Sequence, residues 1–504
     1  MSYLLENRTI LFTLSLFLLF LSCLGPEGVP FKQYLLTNKM DELYKVFSQN
    51  DSYFRTPNSP LRLTLFILSF YVMFQSLRTP ISSNLKLSKL TIKIINYLIC
   101  FFLITNLVTN NGSNVAFILL LLISLFYLLF FKNNKIDEYY QIETLLLSTM
   151  IIMFFVAIFS SIYHDTSLKE IDNYSRFFLF IPIYLLLRDI KVNYNIIYLF
   201  INITSIITGL VALYYFIIHG EIRVAAYSSS TIIYGNISLI FMIFSYLTIK
   251  PLKDSSKSLI LPIAAIILAF IAWSLTGTRG SLLGLLMILL LFFGKKYRDL
   301  IYIPNLKIAS IFLVFIGIIF SQTNNFNRIV EGYNSGYNYI MHNEETSWKN
   351  ADSIMPRLII WKGSYNIAKD NFIFGVGLDK FNNKLLEQIK ERKIPMIRKD
   401  FNNPTGGLNH AHNQYLDITA KIGVLGFATL ILFLLINLMF FHRRLRSESM
   451  LTQNIALFGM VTVVMYASHM VTHAVLSHHH STVFMLMMLM LFFSSIVNLD
   501  KKGI

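Results

Sequence analysis

Charge is scarce in this chain. Of its 504 residues, 14% are Asp, Glu, Lys or Arg against 55% hydrophobic, and mean hydropathy is +0.58. A soluble chain of this length needs far more charge to cover its surface, so the composition excludes a soluble globular protein and implies an integral membrane one. Cysteine is nearly absent. Cys23 and Cys100 lie far apart, each inside an apolar run, which excludes a disulfide framework, a thiolate metal cage and thiol redox chemistry. Neither Gly-x-x-x-x-Gly-Lys nor the dinucleotide-binding glycine fingerprint occurs. ATP or nicotinamide use is therefore not expected, and no cofactor is assigned. The first apolar run ends at Gly25-Pro26 without a small-x-small cleavage motif, so it is expected to stay as a retained span.

What the chain does have is apolar length. Fourteen runs approach the length of a membrane span: roughly 9–25, 60–77, 92–108, 113–131, 142–163, 174–187, 195–218, 231–249, 258–275, 281–294, 306–321, 412–441, 452–476 and 481–498. A span takes about 20 apolar residues, so the short runs at 174–187 and 281–294 are expected to extend into flanking polar residues. The formal net charge of +16 is a topology signal here, not a nucleic-acid footprint. With the N-terminus inside, Arg78, Lys86, Lys89, Lys132, Lys135, Arg188, Lys191, Lys250, Lys253, Lys257, Lys295, Lys296, Arg298, Arg443, Arg444 and Arg446 all fall in inner loops. The short outer loops are poor in Lys and Arg, so both termini are expected inside. No internal repeat breaks the pattern. The expectation is an all-α polytopic membrane protein of about 12–14 spans: a bundle over 1–321, one large outer loop over 322–411, and further spans over 412–504.

That loop is far longer than a structureless connection usually is. Two of its stretches, 356–370 and 382–392, carry one apolar face each and predict helices. Three polar elements share the outer side. Thr276-Gly-Thr-Arg279-Gly-Ser opens one span, with Leu283 four residues after the arginine. Arg357 lies in the loop, followed by Asn371-Phe-Ile-Phe-Gly375-Val-Gly377. Asn409-His410-Ala-His412-Asn413 precedes another span. Arginine suits two-pronged recognition of phosphate oxygens, and histidine can accept a proton near neutrality. Two arginines, a histidine and no carboxylate pair suggest chemistry on a phosphorylated substrate. The histidine would deprotonate a hydroxyl, and the arginines would hold a diphosphate leaving group.

The Arg-x-x-x-Leu element at Arg279, the large outer loop, and His412-Asn413 followed after nine residues by Gly423-x-x-Gly426 together resemble the O-antigen ligases. That superfamily also includes O-antigen polymerases and protein O-oligosaccharyltransferases. The resemblance covers about 220 to 430. It implies a metal-independent, inverting membrane glycosyltransferase of the GT-C type. The donor would be a glycan on undecaprenyl diphosphate, and the acceptor the lipid A–core oligosaccharide. The site would face the periplasm across the bacterial inner membrane. Carried over by position, Arg279 and Arg357 would bind diphosphate and His412 would activate the acceptor. The family usually shows twelve spans, fewer than the count made here.

Further substrate-binding candidates on the outer side are Arg223, Arg176, Asn413 and His410; Asn413 also suits a helix cap. His469, His473 and His478–His480 have metal-like spacing but no nearby Cys or well-placed carboxylate, and read as outer-loop histidines with no metal assigned. Membrane lipids are expected partners; nucleic acid is not. A polymerase or protein O-oligosaccharyltransferase using the same donor remains an alternative. So does a lipid-linked glycan transporter, although the charges cluster at outer span ends rather than at mid-membrane.

Overall fold

A computed structural model describes residues 88–109, 111–130, 140–166, 168–293, 354–398 and 402–501, with 301, 337 and 400 besides. The described residues are all helix, turn and loop. The helices are α1 (Lys89–Val108), α2 (Gly112–Phe130), α3 (Gln141–Tyr163), α4 (Asp172–Asp189), α5 (Tyr194–Ile218), α6 (Thr231–Asp254), α7 (Ile260–Thr276), α8 (Ser281–Phe293), α9 (Ile354–Asp370), α10 (Phe381–Lys390), α11 (Gln414–Ile422), α12 (Val424–Arg444), α13 (Met450–Thr472) and α14 (His479–Lys501). Eight of them, α1, α2, α3, α5, α6, α12, α13 and α14, are long and apolar enough to cross a membrane. This is a polytopic all-α membrane protein. The runs at 9–25, 60–77 and 306–321 fall outside the described residues.

Polar caps set where several helices begin. Ser88, Asn193, Ser230 and Ser449 each accept a backbone N–H from the first turn of α1, α5, α6 and α13, satisfying donors with no partner inside the helix. The bundle is organised around α14, whose membrane-length window is 100% buried. Its run Phe484–Phe493, rich in Met and Leu, meets α4 and α13. Thioether side chains fill irregular gaps between helices that cross at different angles.

The short run at 174–187 does extend into polar flanks, as α4. That changes the place of Arg188, which the sequence assigned to an inner loop. Arg188 is fully buried inside α4, and its Nε donates to Glu143 Oε1 of α3 at 2.6 Å. The Tyr184 hydroxyl donates to the same carboxylate at 2.5 Å. A buried guanidinium needs such a partner, because an unpaired charge in an apolar bundle costs several kcal/mol.

The run at 412–441 is not one span. It breaks at Gly423, with φ +84°, into the nine-residue α11 and the spanning α12. Asp417 and Lys421 make α11 unsuitable for lipid. They pair at 3.2 Å, both nearly buried, on a helix packed against α9. Hydropathy averaging hides this because α12 supplies enough apolar residues for both.

The segment from α9 to α11 has its own core. Ile359, Ile360, Phe381, Leu385, Ile394, Ile397, Ala411 and Ala420 form a hydrophobic cluster separate from that of the bundle. The expected helices at 356–370 and 382–392 are present as α9 and α10, and α9, α10 and α11 build this cluster together. The segment is therefore a compact platform.

Candidate active site

The platform is fixed to the bundle by backbone. After α9 the chain turns through Gly375 and Gly377, where the Val376 and Gly377 N–H groups donate to Ala420 and Lys421 carbonyls, each at 2.9 Å. Val424 N–H donates to the Phe372 carbonyl at 2.8 Å. A Cβ on Gly423 would lie 2.1 Å from the Ile373 carbonyl oxygen. Only glycine fits there, both for the positive φ and for the space. This explains the spacing read in the sequence: the nine residues after Asn413 are α11, and Gly423 is the break at which the loop after α9 docks. The seam holds α9, with Arg357, in register with the loop before α11, with His412.

His412 itself has φ +50°, a conformation disfavoured for a residue with a Cβ and often found at functional sites. Its neighbours impose it. Ala411 N–H donates to Asp417 Oδ1 at 2.9 Å, and the Asn413 side chain accepts from Leu416 N–H at 3.0 Å. Asn413 is thus the helix cap of α11. Gln414 Oε1 accepts from Leu476 N–H at 2.6 Å, and the Tyr415 hydroxyl donates to the Ala467 carbonyl at 2.8 Å. His412 sits where platform and bundle meet.

It lines a cavity of about 330 Å³ with Arg223, Arg279, Arg357 and Arg398, and no carboxylate is among the described residues that line it. The four arginines come from four separate places. Arg279 sits in the tight connection between α7 and α8. Gly277 at φ +62° ends α7, the Trp273 indole donates to Ser281 at 2.7 Å, and Gly280 lies so close to Thr472 that a Cβ would be 2.4 Å from its hydroxyl. Arg223 donates through Nε to the Thr276 carbonyl and through Nη2 to the Thr231 hydroxyl, each at 3.2 Å. Arg357 projects from the first turn of α9. Arg398 lies on a loop closed by the Ile397 and Arg398 N–H groups on the Pro404 carbonyl, each at 2.9 Å.

The structure thus brings together Arg279, Arg357, His412 and Arg223. It does not bring Arg176, which is buried at the start of α4 and bonded to Asp172 Oδ2 at 2.5 Å and to Asn173. His410 is not a lining residue, but its ring lies against that of His412. Arg398 was not singled out in the sequence. It stands in a stretch where Lys and Arg are frequent, and only the Pro404 closure distinguishes it.

The outer-loop reading of His469 and His473 is corrected. His469 is fully buried in α13, and His473 caps that helix at 1% exposure. The His473 ring stacks on His478 with centroids 4.6 Å apart, and both neighbour His410. Among the described residues no group of three or more His, Cys, Asp or Glu is arranged to hold a metal ion.

Burial sets the protonation of the cluster. It lowers His412 to about 4, helped by the positive charge of Arg357 and by His478. It lowers His410 to about 2 and His478 to about 4, and takes His473 well below the usual range. The imidazoles are neutral at physiological pH. His412 Nδ1 is buried with no hydrogen-bond partner among the described residues, and Asp417 Oδ1 is engaged by the Ala411 N–H and by Lys421. A neutral imidazole beside a cationic cavity can accept a proton while arginines hold an anion.

A curated protein of Haemophilus influenzae, described as an uncharacterized protein, is 28% identical over 337 residues, which is 66% of this chain and 81% of that relative. Residues 264–431 match the family model described as O-antigen ligase, a stretch that contains Arg279, Arg357, Arg398, His412 and the Gly423 break. Over that stretch the chain is similar to the O-antigen ligase family.

Proposed function

We propose that the protein is an O-antigen ligase that moves a glycan from undecaprenyl diphosphate to the lipid A–core oligosaccharide, at the periplasmic face of the inner membrane, without a metal. The observation that carries this is the convergence of four arginines on one cavity beside a neutral histidine, with no carboxylate among the described lining residues. A cavity of about 330 Å³ is at the small end of ligand sites, roughly 300–1,000 Å³. It suits a diphosphate and the sugar joined to it, with the lipid tail and the rest of the glycan outside.

In the step, His412 takes the proton of the acceptor hydroxyl. The oxygen attacks the anomeric carbon from the face opposite the diphosphate. The bond from that carbon to the diphosphate oxygen breaks with its electron pair, and the configuration inverts. The leaving group departs as an anion against Arg279 and Arg357, with Arg223 and Arg398 at the margin. No protonated acid is required, because the developing charge falls on oxygens already facing cations. No divalent ion is required either, since guanidinium groups supply the positive charge a metal would bring; excess EDTA should leave the purified enzyme's rate unchanged.

The acceptor is tested by a deletion strain. Loss of capped lipopolysaccharide, with long glycan chains accumulating on the carrier, is the expected result. Single-repeat caps on lipopolysaccharide would assign the protein to the polymerases instead. The periplasmic placement is tested by labelling Asn402→Cys with an impermeant thiol reagent admitted to the periplasm; a well-expressed variant that stays unlabelled removes it.

A further inference from the structure

We propose that Phe372 and Ile373, at the tip of the turn that follows α9, enter the membrane on the side of the arginine cavity and anchor the platform to the lipid surface. Both side chains are large and apolar, yet Phe372 is 58% and Ile373 56% exposed, although the platform has an apolar core of its own. The turn is joined to the bundle at the ends of two spans. α3 has 23 residues and α12 has 21. At 1.5 Å per residue each covers roughly 30–35 Å, close to the thickness of a bilayer's hydrocarbon core, so their ends lie at a membrane–water boundary. The Phe372 carbonyl accepts the N–H of Val424, the first residue of α12, at 2.8 Å. The Phe374 ring lies against Phe159 and Tyr163 at the end of α3, with centroids 5.5 and 4.9 Å apart.

Continuity with the spans says what covers these side chains. α3 and α12 pack together. Phe155, Phe159 and Ile162 stay exposed along α3, and Leu425, Leu432 and Met439 along α12. At these spacings each set falls on one stripe of its helix, and acyl chains are as apolar as the side chains they meet there. Phe372 and Ile373 continue the same surface past the helix ends. An apolar patch rimmed by polar groups marks a membrane or protein contact, and polar groups flank this one. Lys369 and Asp370 are exposed just before the turn, and the His164 ring donates to the Phe374 carbonyl at 3.1 Å. Tyr163, also exposed, has the amphipathic ring favoured at headgroup level. Lipid is therefore the occupant, because the two adjoining stripes already meet it. The anchor also bears on the platform's position. α9 carries Arg357 in its first turn and leads into this turn at its other end, so the bilayer holds one end of the helix that presents the guanidinium. The inference rests on the lipid-facing surface of the bundle and not on the reaction proposed above.

The test uses the full-length chain in phosphatidylcholine vesicles, with its two cysteines replaced (Cys23→Ala, Cys100→Ala) and a spin label at Phe372→Cys or, separately, at Ile373→Cys. Dissolved oxygen concentrates in the hydrocarbon, whereas a neutral nickel chelate stays in water. Oxygen should relax both labels more than the chelate does. The order should reverse at Asn402→Cys, which is exposed on a loop of the platform. With the label at Ile373→Cys, adding Phe372→Gln should lower the oxygen-to-nickel ratio, because the tip then carries one apolar anchor fewer. A label at either tip position that the chelate reaches better than oxygen would put the turn in water and overturn the proposal. A label that neither reagent reaches would mean that protein covers the patch, and dipolar broadening between labels would name a second copy of the chain as the occupant; either result overturns the lipid assignment. So would a ratio left unchanged by Phe372→Gln.

Discussion

The ring of His410 lies against that of His412 with centroids 4.3 Å apart, yet only His412 lines the arginine cavity. Two adjacent histidines therefore have separable roles. His412→Ala should lower turnover about 10²–10⁴-fold, the usual contribution of a positioned base. His410→Ala should be far milder, because it removes a packing partner and no proton acceptor. Rates measured at equal membrane abundance decide it; similar losses from both would point to the cluster as a whole.

The pH profile should depend on whether substrate is bound. Arg357 helps hold His412 down to about 4 in the free protein. A bound diphosphate offsets that positive charge and raises the basicity of the imidazole. The acid limb of kcat/KM reports the free enzyme and should lie near about 4. The limb of kcat reports the complex and should lie higher. A kcat limb at or below that of kcat/KM would remove His412 as the base.

Arginine geometry should matter beyond charge. Arg279→Lys keeps the charge and loses the planar fork. A lost charge-assisted contact of about 1.5–3 kcal/mol corresponds to about ten- to a hundredfold in kcat/KM. Arg357→Ala and Arg398→Ala should fall in the same range, whereas Arg176→Lys should leave the donor KM unchanged. Wild-type kinetics for Arg279→Ala and Arg357→Ala combined would end the diphosphate-binding role.

Gly423→Ala should destabilise and misalign the site together. The added Cβ meets a backbone oxygen at 2.1 Å, and the residue must hold φ +84°, so a loss of at least about 1–3 kcal/mol is expected. Gly407→Ala meets nothing within 4 Å but also has positive φ, +69°, and should show only the conformational part, about 1 kcal/mol. Thermal unfolding in detergent compares them. Equal shifts would mean that the close approach to Ile373 does not matter.

Acid should destabilise the platform before it inactivates any one residue. His412 and His478 lie at about 4 in the fold, and His410 at about 2, against 6.5 for the ordinary group. Below about 6.5 the unfolded chain takes up protons that the folded one refuses, so stability is full above that pH and falls as pH drops. The loss runs from about 6.5 to about 4 for His412 and His478 and further for His410. Unfolding temperature measured across that window should decline, and less steeply in His478→Gln.

The His412-to-Gly423 spacing was readable because one helix of nine residues and one obligatory glycine leave a fixed count in the chain. Arg279 and Arg357 were readable because each stands in an otherwise apolar or small-residue setting. The break inside 412–441 was not readable, since Asp417 and Lys421 look like lone charges in an apolar run until they are seen paired, with Asp417 accepting from Ala411 and Lys421 over the Phe381 ring of α10. Arg188 was misassigned for the opposite reason. A cation at the end of an apolar run suggests a loop, and its partner Glu143 lies 45 residues earlier in the chain. Arg398 gave no signal because its position depends on a loop closure, which leaves no periodicity.

The central place of α14 has a consequence for how the protein is made. A ribosome delivers the N-terminal part of a chain first, and α14, at residues 479–501, is the most deeply enclosed of the described membrane-length helices. It is thus synthesised after every other described helix. Until it emerges, α4 and α13 lack the helix against which both pack. α3 and α4 are prepared for that wait, tied by Glu143 and Arg188 before α14 exists. When it arrives, Asn498 donates to the Arg188 carbonyl at 2.7 Å. A stop codon ahead of α14 would therefore leave the other described helices made without the one that α4 and α13 enclose.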